Sequence, residues 1–349
     1  MNARWAAGRG LRPRGRHGDH APRRRRPRRA ARALGVLLVA VSALAVSSGR
    51  GDAAGPLRVA TFNIFHGGAS SGLWGDDHAL DRRLAIARDA LRELDPDILA
   101  LQEASAGWGR GNVAERLAAA LGLRHAWAPA TSRVFVPPFG WLLTRLMNFA
   151  EGPAVLSRFP IVATEAHELP RCGVRRFDPR VALVADLQTP WGRLPVISTH
   201  TSRDDCQVRR VGELALERRG PLPALVMGDL NAPEGAEAII ALVRAGFVDA
   251  FRIANPETPG PTVWQRVLAP ESTVFRRVDY VFIVPGADVR ARVLASRVIL
   301  DRPRREPDGT TLWPSDHYGV LAEIELTPAA AGVPGAPGAD ASRESAGAR

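Results

Sequence analysis

The segment Leu225-Val226-Met227-Gly228-Asp229-Leu230-Asn231 sets a carboxylate and an amide two residues apart, where an apolar run stops. Read as the end of a buried strand, it points both side chains the same way, because residues i and i+2 of an extended chain share a face. A carboxylate there binds a hard cation or orients a water. An amide donates to a phosphate oxygen and accepts from the attacking water. Gly, Asp and Asn are also turn residues, so the segment alone leaves both readings open. Its company narrows them. Asn63, Glu103 and His200 stand where other apolar runs end, and the Asp316-His317 pair precedes one more. Asp279 sits inside an apolar run over 278–284, where an unpaired carboxylate would be costly. Strands that deliver such residues to one edge build a site, and ligand sites of α/β sheets gather at strand ends.

The elements that must position these residues are readable from pattern. Strands are expected over 57–64, 98–101, 153–157, 181–187, 194–199, 224–227, 278–284, 289–295 and 319–326. Helical spacing of apolar residues marks 80–94, 113–121, 207–218 and 236–245. The segment Pro190-Trp191-Gly192-Arg193 reads as a hairpin turn. Strands alternating with helices, interrupted by hairpins, predict a mixed α/β sandwich more than a purely parallel sheet. The stretch 134–149, VFVPPFGWLLTRLMNF, carries a single charge, Arg145. Large apolar residues are normally inside, so a buried loop and helix under the sheet are expected. The alternative is an apolar loop facing a membrane or substrate. No internal repeat is visible.

The 349 residues are 46% hydrophobic, enough for a sizeable core, and carry a net charge of +11. That charge is confined. Residues 1–54 hold 13 Arg and two Asp, whereas residues 55–349 balance 34 Arg against 34 acidic side chains. The folded part therefore lacks the basic excess that argues for long duplex DNA. An apolar segment of 16 residues, 33–48, follows an Arg-rich run. It is short for a membrane span, which needs about 20, but suits a signal-peptide core, and small residues follow it. Residues 1–54 are thus expected to be a signal peptide or basic leader with a membrane-anchor-like segment. Residues 55–326 form the folded domain, and 327–349 are a disordered tail rich in Ala, Gly and Pro. The expected location is outside the cytoplasm, secreted or at the cell envelope, with a possible membrane tether through 33–48. Two cysteines, Cys172 and Cys206, permit a disulfide there. No protein partner is evident.

Six motifs occur in order: Thr61-Phe62-Asn63, Leu101-Gln102-Glu103, Ser198-Thr199-His200, Gly228-Asp229-Leu230-Asn231, Val278-Asp279-Tyr280 and Ser315-Asp316-His317. Together they resemble the endonuclease/exonuclease/phosphatase (DNase I-like) family of metal-dependent phosphoesterases, over about residues 57–326. The resemblance implies an α/β (α+β) four-layer sandwich, two mixed β-sheets packed face to face and flanked by helices, with the site at one edge. It implies Mg2+, or else Mn2+ or Ca2+, held by Glu103 with Asn63 and Asp316 nearby. Such a hard cation neutralises charge on the phosphoryl group and prefers oxygen ligands. Asp229 and Asn231 would position the attacking water and the phosphate. His317 would stabilise the transition state or act as base, oriented by Asp279, and His200 would be a phosphate ligand or the acid for the leaving oxygen.

In DNase I-like members an acidic residue before Pro pairs with this second histidine. Asp178-Pro179-Arg180 stands in that place, with Asp for the more usual Glu. If Asp178 faces His200 across the hairpin, the same antiparallel register brings Cys172 and Cys206 close, and a disulfide is expected. Arg180, with Arg175 and Arg176, would hold a phosphate. The abasic-site branch of the family uses a tyrosine upstream of Asp-x-Asn, and this chain has only Tyr280 and Tyr318. The inositol polyphosphate branch carries Cys-Asp-Arg where Arg277-Val278-Asp279 stands here. The expected function is an exported Mg2+-dependent phosphodiesterase acting on nucleic acid, phospholipid or a small diester. The alternatives are a sphingomyelinase- or phospholipase-like enzyme at a membrane surface, marked by exposure of 134–149, and a non-catalytic binding protein on the same fold.

Overall fold

The computed structural model describes residues 55–68, 71–74, 78–131, 138–172 and 179–329. The main elements run β1 (Leu57–Asn63), α1 (Leu80–Leu94), β2 (Ile98–Gly107), α2 (Val113–Leu121), β3 (Arg124–Trp127), α3 (Phe139–Leu146), β4 (Ala150–Ser157) and β5 (Ile161–Glu168). They continue through β6 (Val181–Thr189), β7 (Gly192–His200), α4 (Asp205–Arg218), β8 (Ala224–Asp229), α5 (Glu237–Arg244), α6 (Ala250–Ala254), β9 (Asp279–Val284), β10 (Val289–Ile299) and β11 (Gly319–Pro328).

Two mixed sheets result. The first has the order β10-β11-β1-β2-β4-β3, and the second runs from the short strand Val248–Asp249 through β9-β8-β7-β6-β5. Each holds one parallel pair, β1 with β2 and β7 with β8. Parallel neighbours need a crossover, which α1 and α4 supply. Strand alternation sorts the side chains into layers. Leu57 and Val59 of β1 face Val196, Met227 and Val281 of the other sheet in the central core. Ala60 and Phe62, one residue out of phase, pack outward on Leu80, Leu84 and Leu91 of α1. On the far side, Val184, Ile197 and Phe282 pack on Val208, Val211 and Leu214 of α4 and on Ile239 of α5. The expected four-layer sandwich is therefore the fold.

Local chemistry sets several boundaries. The Asn112 side chain accepts from the Ala114 and Glu115 N–H groups at the start of α2, and Gly122, at φ 70°, ends that helix. Helix α1 occupies the predicted span.

Three features differ from the sequence reading. Strand β2 does not stop at Leu101 but runs on through a register shift between Leu101 and Ala104, with Glu103 at φ 55°. Edge strands β3 and β5, which bury little, were not foreseen. The described part of 134–149, from residue 138 on, is not tucked under the sheet. Helix α3 buries only Gly140, and Phe139, Trp141 and Leu146 are 66%, 61% and 67% exposed.

Cys172 and Cys206 form a disulfide, with Cα atoms 6.7 Å apart. The hairpin ladder pairs Ala182 with Thr199, a register that places Val181, not Asp178, opposite His200. The cysteines meet beyond the strands, where the chain no longer follows the ladder. Asp178, Arg175, Arg176, the leader and the tail from residue 330 lie outside the described residues.

Candidate active site

The site forms at one edge of the sandwich, where strand ends of both sheets meet. Asn63 ends β1 and is fully buried. Its Nδ2 donates to Glu103 Oε1 and to Asp229 Oδ2, both at 3.2 Å, and so ties the first sheet to the second. As placed, the amide nitrogen faces the two carboxylates, and Asn63 serves them as a donor. Its Oδ1 accepts from the Phe65 N–H at 3.1 Å. The bulge in β2 turns Glu103 toward this edge. There it also meets the backbone N–H and the Nε2 of His66, each at 3.2 Å.

Asp229 closes β8 beside β7, and the approach is tight at the preceding residue. A Cβ on Gly228 would come within 2.0 Å of the Thr199 carbonyl oxygen, so only glycine fits. Asp229 Oδ1 accepts from the Asn231 N–H at 2.8 Å, and Asn231 has φ 49°. The segment is thus a turn and part of the site at once. The turn, not an extended strand, places the amide beside the carboxylate, at 3.4 Å from Nδ2 to Oδ2. Asn231 Nδ2 also lies 3.0 Å from His200 Nε2, and that imidazole nitrogen is 3.3 Å from Asp229 Oδ2.

On the other side stands His317. Its Nδ1 is 3.0 Å from Asp279 Oδ2 and its Nε2 is 3.7 Å from Asp229 Oδ2. Ser315 fixes this segment: its hydroxyl donates to the Asn63 carbonyl at 2.7 Å and accepts from the His317 N–H at 3.1 Å. The Thr262 hydroxyl accepts the Val278 and Asp279 N–H groups, holding the carboxylate end of β9.

The electrostatics divide the groups. Burial disfavours the Glu103 carboxylate, but the His66, His200 and His317 imidazoles outweigh it and draw its pKa down to about 2. Burial pushes Asp229 up to about 7 and Asp316 up to about 6. Burial would lower His317, but the Asp279 and Asp229 carboxylates hold it well above its ordinary value. His200 falls well below, through burial and then the charge of Arg180. Arg180 thus lies within electrostatic reach of His200.

The donors suit a hard divalent cation. Glu103 and Asp316 offer carboxylate oxygens, and after burial the Glu103 charge is what raises Asp316; oxygen ligands are what Mg2+ or Ca2+ takes. Asp229, Asp279 and His317 form a second grouping, with ligand atoms within 4.8 Å of one another. Asp279 Oδ1 there is buried with no hydrogen-bond partner among the described residues. Because Asp279 already engages His317, Glu103 with Asp316 fits the cation better.

Two site residues escaped the sequence reading. His66 lies in a Gly-rich loop, and its only signal was its place three residues after Asn63. Arg83, fully buried on α1, donates to the carbonyls of His78, Ile64, Phe65 and Pro314 at 2.7–3.2 Å, clamping the loops that carry Asn63 and Ser315.

Comparison with known proteins bears on the family and the fold. A family model described as "Endonuclease/Exonuclease/phosphatase family" matches residues 60–317. No curated protein matches the chain. Among solved structures, an endonuclease/exonuclease/phosphatase from Beutenbergia cavernae is 24% identical, with TM-score 0.56, covering 78% of this chain and 72% of that one. A mannosyl-6-phosphatase of Bacteroides thetaiotaomicron is 20% identical, with TM-score 0.58, covering 78% and 99%. The humanized TDP2 of D. rerio is 16% identical, with TM-score 0.54, covering 77% and 99%. At these identities the likeness is one of fold.

Proposed function

Because the chain belongs to the endonuclease/exonuclease/phosphatase family of metal-dependent phosphoester hydrolases, we propose that it is an exported Mg2+-dependent phosphodiesterase that attacks its ester with water. The observation that carries this reading is His317 held between two buried carboxylates, with Asp279 on Nδ1 and Asp229 facing Nε2. Asp229, raised by burial to about 7, is matched to taking a proton from the attacking water near neutral pH. Asn231 and His200 border the same carboxylate and would hold the phosphoryl oxygens. His317, kept protonated by its two carboxylates, would stabilise the charge that grows on phosphorus. Asn63 fixes Glu103 for a cation shared with Asp316. Bound there, the cation would neutralise the phosphoryl charge and polarise the ester. Arg180 adds positive charge behind His200.

The reading extends to the chain's organisation: residues 1–54 direct export, 55–326 catalyse, and 327–349 are a tail. The Cys172–Cys206 disulfide supports export, since such bonds persist in oxidising compartments. No helix among the described residues is long and apolar enough to cross a membrane.

A second reading, a lipid phosphodiesterase working at a membrane surface, is favoured by one observation. Helix α3 presents Phe139, Trp141 and Leu146 to solvent, and Phe149 just beyond it packs edge-on against His66 at 5.0 Å. The apolar face thus begins beside the site. Hydrolysis of plasmid DNA, a small aryl phosphodiester and sphingomyelin vesicles, with Mg2+ and with chelator, tests both. Metal-dependent cleavage of DNA or the small ester supports the first reading, and cleavage of vesicles alone supports the second. Inactivity on all three would leave a narrower substrate or the binding protein.

A further inference from the structure

The mouth of the site carries a group of residues that the reaction above leaves unused. Val263 pairs with both Arg276 and His317 in antiparallel bridges, and the Gln265 N–H donates to the Asp316 carbonyl at 2.7 Å. Trp264, between them, is therefore fixed alongside the segment that carries Asp316 and His317, yet 45% of it is exposed. Two guanidinium groups stack on its indole. Arg203, three residues beyond His200, lies 5.1 Å from the ring centre, and Arg276, three before Asp279, lies 5.3 Å from it. The stack thus joins the His200 side of the site to the His317 side.

These two arginines are unlike their neighbours. Arg277, next in sequence, is neutralised by Asp249 and Glu234, and Arg252 by Glu234. Arg203 and Arg276 have no ion pair and no side-chain hydrogen bond among the described residues, and the Arg276 Nε is buried without a partner. Stacking on one ring fixes both cations but satisfies none of their N–H groups. Arg276 lies over the Phe275 ring as well, at 5.4 Å, and an anion held beside this cluster takes up the idle donors of the two cations. The planar fork of Arg matches phosphate in particular.

We infer that Arg203, Trp264 and Arg276 form a subsite for a second phosphate of the substrate, one carried next to the ester that is cleaved. This rests on the phosphoesterase reading for its place in the reaction, but not for its binding chemistry. The second phosphate has two sources: the neighbouring internal phosphate of a polynucleotide, or the terminal phosphate of a small ester.

Titration calorimetry on the purified, chelator-treated protein tests the subsite without turnover. The probes are thymidine 5′-phosphate, thymidine 3′,5′-bisphosphate, and the dinucleotide pTpT, whose second phosphate is internal. The bisphosphate is expected to bind about tenfold tighter than the monophosphate, the size of one screened, charge-assisted contact. In the Arg203→Gln/Arg276→Gln variant the advantage should shrink to about twofold or less. If that variant does not fold, Arg203→Gln alone, at an exposed side chain, carries the test. An equal gain for pTpT assigns a polynucleotide phosphate, and a gain for the bisphosphate alone assigns a small phosphorylated ester. Equal affinity for the monophosphate, the bisphosphate and pTpT, or an advantage that survives the substitutions, overturns the subsite. Selective binding by a protein that hydrolyses nothing would instead overturn the phosphoesterase reading and leave the subsite standing.

Discussion

His317 touches a carboxylate through Nδ1 and faces a second through Nε2, so removing one charge tests its role without removing the ring. In Asp279→Asn the ring loses the partner that fixes its tautomer and its charge. The expected result is a fall in kcat on the order of 10^3-fold or more, by analogy with carboxylate loss behind other catalytic imidazoles. KM and the far-UV circular dichroism spectrum should be little changed. A kcat within threefold of wild type would remove Asp279 from the mechanism. Arg83 is a contrasting case, because its work is structural. It supplies donors to four backbone carbonyls, of which those of Ile64 and Pro314 are buried, and Arg83→Met would leave the buried two unpaired. Stability should fall by about 3 kcal/mol, read as a lower urea midpoint at unchanged m-value. Asp279 was legible in the sequence because a carboxylate inside an apolar strand demands a reason. Arg83 was not, since it stands beside Arg82 in a helix with nothing local to separate the buried one from the exposed one. Only the return of the loops around Ile64 and Pro314 decides which is buried.

Among the elements, those with a clean period were read correctly, and those whose burial depends on neighbours were not. Helix α1 keeps apolar residues at 80, 84, 87 and 91, all buried, and its span follows from spacing alone. Strand β2 was cut short because its polar Gln102-Glu103 looks like an end, although the chain bulges there and pairs again from Ala104. The bulge is what aims Glu103 into the site, a common use of bulges. Helix α3 is the sharpest failure. Its composition says core, yet nothing among the described residues covers most of it. Substituting Trp141→Ser together with Leu146→Ser should therefore change stability by no more than about 0.5 kcal/mol, as for ordinary surface positions. The same pair in the core would cost several times that. Thermal melts make the measurement, and a loss of several kcal/mol would mean that the helix is covered after all. If the helix docks on lipid, the pair should also abolish co-sedimentation with phosphatidylcholine vesicles.

For the whole molecule, the decisive fact is that neither sheet owns the site. Asn63 and Glu103 come from the first sheet, with Asp316 and His317 leading into its strand β11, while His200, Asp229, Asn231 and Asp279 come from the second. Polar side chains knit the two where they pack: the Gln102 amide donates to the Ser198 hydroxyl at 3.5 Å, and that hydroxyl donates to the Leu101 carbonyl at 3.1 Å. The order of the six motifs pointed to a site at one edge of a sheet pair, whereas the partition of its residues between the sheets, and the distances across them, came only with the fold. A cation that needs this edge therefore binds the folded sandwich and not the separated strands. Ligands that bind only the native state stabilise it by mass action, by about 2.7 kcal/mol at one hundred times the dissociation constant. For a domain of this size that is a rise in Tm of roughly 5–10 °C. Adding Mg2+ to chelator-treated protein should produce such a rise, excess chelator should reverse it, and Glu103→Gln should abolish it while leaving the Tm without metal within a few degrees. The comparison separates ligation from folding, because a variant that merely weakens the fold would start lower and still respond to metal. A full response in Glu103→Gln would move the cation to the grouping of Asp229, Asp279 and His317, and Asp279→Asn would then be the variant whose melt no longer responds.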